Sequence, residues 1–424
     1  MRSVKAHKEV TLANALVPDP VRMAITDAGG LLAAEEVQAT HPLPAFPMAA
    51  IDGYAVRSVD VGGTRAIVGS HAEERPEVPA ERETKLPVVG EIPAGSQQPM
   101  RLQPKQAMRV HTGAPLPTLA DSVLPLAWSD KGTAFVRPLK PVATGEFVRG
   151  VGEDINEGDV AVTPGTILGP AQIGLLAAVG RSKVLAYPRP RVSVLSVGRE
   201  LVDIEREPGR GQVYDINSYA LAAAAKDAGA EVRRVGIVEG EPRRIREVIE
   251  GETLRSEIIL ISGAVGGAGA AQIQAILSDL GEIDTTRVAM HPGSVQGFGV
   301  LGSDEVPCFL LPATPVSSLV IFEAFVRPMI RAGLGKRPLD RRLVKARALG
   351  PLQSRVGRRG YIRARLMRDA ETQDYLVEGL SGATGSPAHL LAGLAEANSY
   401  IVIPEDQPDV RPGDVVDVMF LSQG

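Results

Sequence analysis

The sequence is short of cysteine, of long apolar runs and of any surplus of charge. Cys308 is the only cysteine in 424 residues, so no internal disulfide can form, and its apolar setting PCFLL reads as a core filler. With that single thiol and six scattered histidines, no spacing suits a structural zinc site. The longest apolar stretches, such as Leu319 to Phe322, fall far below the roughly 20 residues that span a bilayer. The N-terminal segment also lacks the apolar core of a signal peptide. Together these absences imply a cytoplasmic protein with no direct membrane insertion. The 46 basic and 50 acidic side chains leave a formal net charge of −4, which argues against a nucleic-acid partner.

Composition is that of a soluble globular protein, 44% hydrophobic and 23% charged, and the length implies two to four domains. Residues 1–45 read as helical, with apolar residues at helical intervals from Val21 to Val37, until prolines at 42, 44 and 47 extend the chain. Residues 46–142 hold short Val-rich runs divided by Gly and Pro, the pattern of a small β domain. A turn-rich segment and a helix from about Pro170 to Val179 follow, so the β segment reads as an insertion in a discontinuous helical domain, 1–45 with 143–182. From Arg189 strands alternate with helices, with Asn217 as the cap of one helix, which implies a parallel sheet covered on both faces over 183–335. Ligands of such sheets sit beyond the carboxyl ends of the strands, near Gly198 to Glu200 and Gly263 to Gly269. Residues 336–424 return to short strands, a β-barrel domain. Its first part is basic, with Arg341, Arg342, Lys345, Arg347, Arg355, Arg358, Arg359, Arg363 and Arg365, either a solvated face or a surface for an acidic partner.

The stretch Ile258 to Ile276 combines a buried strand, a turn with Gly263, Gly266, Gly267 and Gly269, and a short helix. Glycine there lets backbone amides approach an anion, but the same pattern also makes a tight turn with no ligand. From Ser262 to Gln274 there is no charged side chain to hold a metal or move a proton.

Nine segments in order resemble the MoeA family, the molybdopterin molybdenumtransferases, and the E domain of gephyrin. They are AAIDGYAV (49–56), RVHTGAPLP (109–117), VRGVGEDINEGD (148–159), RPRVSVLSVGRELV (189–202), GQVYDINSYAL (211–221), ISG (261–263), PG (292–293), LLPATPVSSLVIFEAFVRP (310–328) and SGATGSPAHLLAGLAEANSYIVIP (381–404). The resemblance implies a multidomain α/β plus β fold: a discontinuous helical domain with an inserted β domain, a central MoaB/MogA-like doubly wound domain and a C-terminal β barrel. It implies an elongated homodimer as well. The family inserts molybdate into adenylated molybdopterin with release of AMP, assisted by Mg2+. By that resemblance Asp52, Thr112, Asp154 and Glu200 are the catalytic candidates, Asp52 and Glu200 the metal candidates. Ser262, Gly263, Gly266, Gly267, Pro312 and Pro315 are the candidates for binding molybdopterin and molybdate.

Departures from the family gather where charge is needed. GGVSVGxxD becomes GAVGGAGAA, so Gly266 stands for serine and Ala271 for aspartate. KPGKP becomes His291, Pro292, Gly293, Ser294 and Val295, PGNP becomes Pro312 to Pro315, and Gly240 replaces the first of an acidic pair. Removing one preorganised electrostatic contact costs roughly 3 kcal/mol of transition-state stabilisation. Two functions therefore stay open. One is a dimeric gephyrin-like scaffold of cell division, recruited to the division site and binding a short peptide such as the C-terminal tail of the tubulin-like protein FtsZ. This is the role of the divergent actinobacterial gephyrin-like proteins that the sequence resembles. The other is an active molybdenumtransferase using Mg2+.

Overall fold

The computed structural model describes residues 1–63, 84–267, 269–380 and 391–421. Four stretches of the sequence lie outside the described residues: 64–83 of the expected β domain, Ala268 of the glycine-rich loop, 381–390 of the last matching segment, and 422–424 of the expected barrel domain. The chain forms two compact units, residues 22–185 and residues 1–21 with 186–424. The first 21 residues, expected to share a domain with 143–182, thus cluster with the α/β part. Their backbone explains it, since Arg2 bridges to Val288 and bonds to Arg287 and Ala289.

In the unit 22–185 the helix expected over Val21–Val37 does not form. That segment makes the short strands Val21–Ala24, Leu32–Ala33 and Val37–Gln38. The buried pairs Leu31 with Ala33 and Val37 with Ala39 are each two residues apart, as in a strand, and Gly30 turns the chain at a φ of +78°. Main-chain bonds from Gly30 to Leu168 and from Ala34 to Leu185 replace the helical ladder. The helix expected near Pro170 is present as Pro170–Ala178.

A five-stranded sheet follows, from β1 (Gly53–Val56), β2 (Leu86–Ile92), β3 (Ala107–Val110), β4 (Ser122–Pro125) and β5 (Phe135–Val136), in the order β4-β1-β3-β2-β5. All four residues of β1 are buried, and Gly53 lies so close to β4 that a Cβ would stand 2.2 Å from the Leu124 carbonyl oxygen. Glycine is therefore required where Asp52 enters the sheet.

The second unit opens with helix α1 (Val4–Ala13) and then alternates strand and helix: β6 (Arg191–Ser196), α2 (Asn217–Ala228), β7 (Glu231–Ile237), α3 (Pro242–Thr253), β8 (Ile258–Val265), α4 (Ala270–Ser278), β9 (Gly281–Asp284), β10 (Gly297–Leu301) and β11 (Val306–Pro312). The sheet order is β7-β6-β8-β11-β10-β9, in which the first four are parallel and β10 and β9 form an antiparallel edge absent from the sequence expectation. The run Ile258–Ile261 is apolar throughout because β8 is central. Ile258 and Leu260 pack with α2 and the helix that starts at Pro315, and Ile259 and Ile261 pack with α3 and α4. Burying each side chain contributes roughly 2 kcal/mol.

The closing helix consists of α5 (Pro315–Ile321), a π-helical turn at Phe322–Val326 and α6 (Arg327–Gly333). The barrel strands are β12 (Leu343–Ala348), β13 (Arg359–Arg368), β14 (Tyr375–Gly379), β15 (Ser399–Ile403) and β16 (Val415–Phe420). They close in the circuit β13-β14-β12-β16-β15-β13. One core cluster runs from Phe322 and Ile330 to Tyr361 and Tyr400, joining the barrel to the closing helix.

Helix α1 is fixed by His7, 1% exposed, whose ring meets Phe325 edge-on at 4.7 Å. Burial, with Arg2 beside it, lowers the His7 pKa to about 4. The folded state thus binds fewer protons than the unfolded one. Stability that is full above pH 6.5 should be lost as pH falls toward 4, by up to about 3 kcal/mol. Urea melts from pH 7.5 to 4 on the protein and on His7→Gln should diverge across that window; parallel curves would show that His7 carries no part of the acid sensitivity.

Candidate functional site

Three of the sequence motifs meet in the unit 22–185. The segment before Asp52 pairs with the turn after β3 through bonds from Gly113 to Ala49, Ala49 to Ala114 and Leu116 to Pro47. On its other side Val148 and Arg149 pair with Ala49 and Met48, and Asp154 donates its N–H to the Leu43 carbonyl. Local turn chemistry thus sets Asp52 between HTGAP and VRGVGEDI.

Asp52 Oδ1 accepts from the Thr112 N–H and from its Oγ1 hydroxyl, both at 2.8 Å. These two donors, main chain first, hold its carboxyl below the usual range, so it is ionised at neutral pH. Beside it the His111 ring lies 2.6 Å from Glu91 Oε1. The Asp154 side chain is exposed, whereas its neighbour Glu153 turns back to accept from the Gly150 N–H. The Asp52 and Thr112 pair is therefore a built contact, and Asp154 shares the neighbourhood through its backbone.

The other candidates lie in the second unit, at the carboxyl ends of the parallel strands. Ser262 is 3% exposed, and its Oγ accepts from the Asn217 amide at 2.6 Å and points at the Pro312 carbonyl at 3.4 Å. Asn217 also reaches the Ala313 carbonyl, and Ser318 Oγ donates to the Pro312 carbonyl at 2.7 Å. Gly263 takes a φ of +81°, and a Cβ there would stand 2.1 Å from the Val197 carbonyl oxygen. Gly266 is also left-handed and lies beside Val295, while Gly267 is open to space. Gln274, midway along α4, donates to the Ala264 carbonyl. Pro315 is the buried first residue of α5. Glu200 is exposed, its carboxylate folded over Gly198 and its main-chain carbonyl bonded to Val213.

Two features of this rim escape the sequence reading. Asn217, expected as a helix cap, is the first residue of α2, and its amide crosses to Ser262 and Ala313 instead. The capping oxygen is Oδ1 of Asp215, 1% exposed, which accepts from the Ser218 N–H and the Ser196 hydroxyl. The run DINS ahead of an alanine-rich helix carries the signal, an Asp three residues before the N–H that it caps.

A magnesium ion would find a sparse donor set. Mg2+ takes one or two carboxylates and completes its shell with water and substrate phosphates. Asp52 has one oxygen engaged by Thr112 and one left over, and Glu200 offers one exposed carboxylate. Among the described residues no three His, Cys, Asp or Glu side chains converge. Each carboxylate, taken in its own unit, suits only an ion that a phosphate substrate helps to hold. No helix of the described residues is long and apolar enough to cross a membrane.

Comparison with known proteins places these elements in context. Residues 2–180 match the MoeA N-terminal region (domain I and II), residues 193–332 a probable molybdopterin binding domain, and residues 345–421 the MoeA C-terminal region (domain IV). Molybdopterin molybdenumtransferase 1 of Mycobacterium tuberculosis is 56% identical over 424 residues, covering 100% of both chains. Molybdopterin molybdenumtransferase 2 of the same organism is 34% identical over 432 residues, again covering 100% of both. A crystal structure of a molybdopterin biosynthesis MoeA protein from Pyrococcus horikoshii superposes with a TM-score of 0.76 at 28% identity, covering 100% of this chain and 99% of that one.

Proposed function

Because this chain belongs to the MoeA family, we propose that it keeps that family's scaffold for holding a partner peptide rather than for inserting molybdate. The observation that carries the reading is the inward bonding of the glycine-rich rim. The Ser262 hydroxyl is taken by Asn217, the Gln274 amide by Ala264, and Ala271 stands where the family pattern has aspartate. A rim that inserts an oxyanion needs cationic and carboxylate groups aimed outward at the developing charge. Here the side chains stabilise the turn itself.

In this reading the chain is a cytoplasmic homodimer, and a dimer offers two equivalent sites, so a polymer engaged at both gains avidity without new contacts. The partner is a short peptide such as the FtsZ C-terminal tail, which would recruit the dimer to the division site. The outer face of the barrel supports a peptide partner. Leu343 lies on the same exposed strand face as Lys345 and Arg347, and the exposed Val415 pairs with Arg347. The expected results are calorimetric binding of the tail peptide and co-pelleting with FtsZ filaments. Absence of both would overturn the named partner.

The second reading is an active molybdenumtransferase, acting on adenylated molybdopterin and molybdate with Mg2+. It is favoured by the intact contact between Asp52 and Thr112 and by the names of the relatives. If it held, Asp52 and Thr112 would orient the substrate, and the metal would offset phosphate charge. AMP release from adenylated molybdopterin with molybdate decides between the two. The scaffold reading expects turnover at least about a hundredfold below an active family member. Comparable turnover would sink it. Gain of AMP release in Ala271→Asp with His291→Lys and Ser294→Lys would identify a decayed site.

A further inference from the structure

The nine basic residues between 341 and 365 do not make one face. Arg341 is bound to Glu323, Arg359 to Glu405, and Arg363 is 3% exposed. Among the described residues Arg342, Arg365, Arg355 and Arg358 have no ion pair or side-chain hydrogen bond, and of these Arg355 and Arg358 share one turn. They bracket Val356, which at 81% is the most exposed large apolar side chain of the described residues.

This turn is braced. The Ser354 N–H bonds to the Pro408 carbonyl at 2.7 Å, the Gly357 N–H to the Glu405 carbonyl at 3.0 Å, and the Arg358 N–H to the Arg355 carbonyl at 3.1 Å. A side chain displayed on such a turn loses little further freedom when it meets a partner. The strand Met290–His291 pairs with Arg359 and Gly360, which sets the His291 loop alongside. Burial, and then the charges of Arg355 and Arg358, lower the His291 pKa. Of the two acids on the facing loop, Glu405 is taken by Arg359, and Asp406 is exposed.

Resting on the scaffold reading, we infer that the turn 354–358 is a docking site for an acidic peptide segment, with a carboxylate held between Arg355 and Arg358 and an apolar neighbour covering Val356. Guanidinium groups suit a carboxylate because their paired N–H donors match its two oxygens. The apolar centre distinguishes this turn from a plain anion site. A phosphate or a nucleic-acid backbone would use the arginines and leave Val356 in water.

The test uses the full chain and a short fluorescent peptide alternating aspartate and leucine, followed by anisotropy. The expected result is saturable binding, weakened about tenfold or more by Arg355→Glu, by Arg358→Glu and by Val356→Asp. Asp406→Asn should tighten it, and the His291 ring resonances should shift as the probe is added. Arg365→Glu, on the exposed part of β13, should change affinity less than about twofold, and all variants should keep the native melting curve because the turn is at the surface. The site is overturned if the probe does not bind, if Arg365→Glu weakens it as much as the turn variants, or if duplex DNA or inorganic phosphate displaces it at a lower concentration than free acidic peptide. Repeating the series with the FtsZ tail separates the two claims. A tail that binds the turn variants as tightly as the original protein removes this site and leaves the scaffold reading. A tail that fails to bind, beside a probe that binds through Arg355, keeps the site and removes the named partner.

Discussion

Gly263→Val is expected to destabilise the α/β unit by at least about 3 kcal/mol, the largest effect of any single change in the glycine-rich turn. Two costs coincide. The backbone sits at a φ of +81°, which a β-branched residue resists, and the new Cβ would collide with the Val197 carbonyl at 2.1 Å. That carbonyl belongs to the residue whose N–H donates to the Ser262 carbonyl, so relieving the clash breaks the bond that joins the end of β6 to β8. The control lies four residues on. Gly267→Ala, with open space around it and no left-handed φ, should stay within about 0.5 kcal/mol. Urea denaturation followed by far-UV circular dichroism reads both. Equal midpoints for the two variants would mean that the turn relaxes freely and that its geometry is not required by the fold.

Arg341→Ala should cost about 3 kcal/mol, because it strips a buried carboxylate of its main partner. Glu323 is 8% exposed in the π-helical turn, and Arg341 grips it with two bonds at 2.8 and 3.0 Å while also reaching Asp227 at 2.9 Å. Arg327, at 3.9 Å from the same carboxylate, is too far to take over without moving. Removing both charges together, in Glu323→Gln with Arg341→Met, should be milder than Arg341→Ala alone. A double variant as unstable as the sum of the single ones would show that the pair is not coupled.

The parts of this molecule that a reader of the sequence recovers are those whose cause is local. Ile258 to Ile261 betrays a central strand because both of its faces must be covered, and the closing helix is plain in its apolar spacing. Val21 to Val37 misleads for the opposite reason. Its apolar residues fit a helical interval as well as a strand's, and the decision lies with carbonyls at 168 and 185, more than a hundred residues away. The antiparallel edge of β10 and β9 is hidden likewise, since a short strand carries no mark of its direction.

The candidate site divides along the same line. Asp52 and Thr112 can be named from their motifs, but their contact spans 60 residues of sequence and needs the sheet to close it. The bond from Asn217 to Ser262 is less visible still, because an Asn ahead of a helix reads as a cap. Among the basic residues of 341–365 the sequence cannot separate spent charges from free ones. Only the fold reveals that Arg341 and Arg359 are occupied and that Arg355 and Arg358 are not.

The closed circuit of the barrel also bears on self-association. Among the described residues each of β12 to β16 has a strand on both sides, so none is an edge strand with a full row of unpaired main-chain groups on which a second chain could template itself. The open sheets do end in such rows, at β7 and β9 in one unit and at β4 and β5 in the other. Under crowding, misassembly should therefore start from those margins. The barrel surface can be packed side by side at high local density without seeding a fibril, whatever it is there to hold.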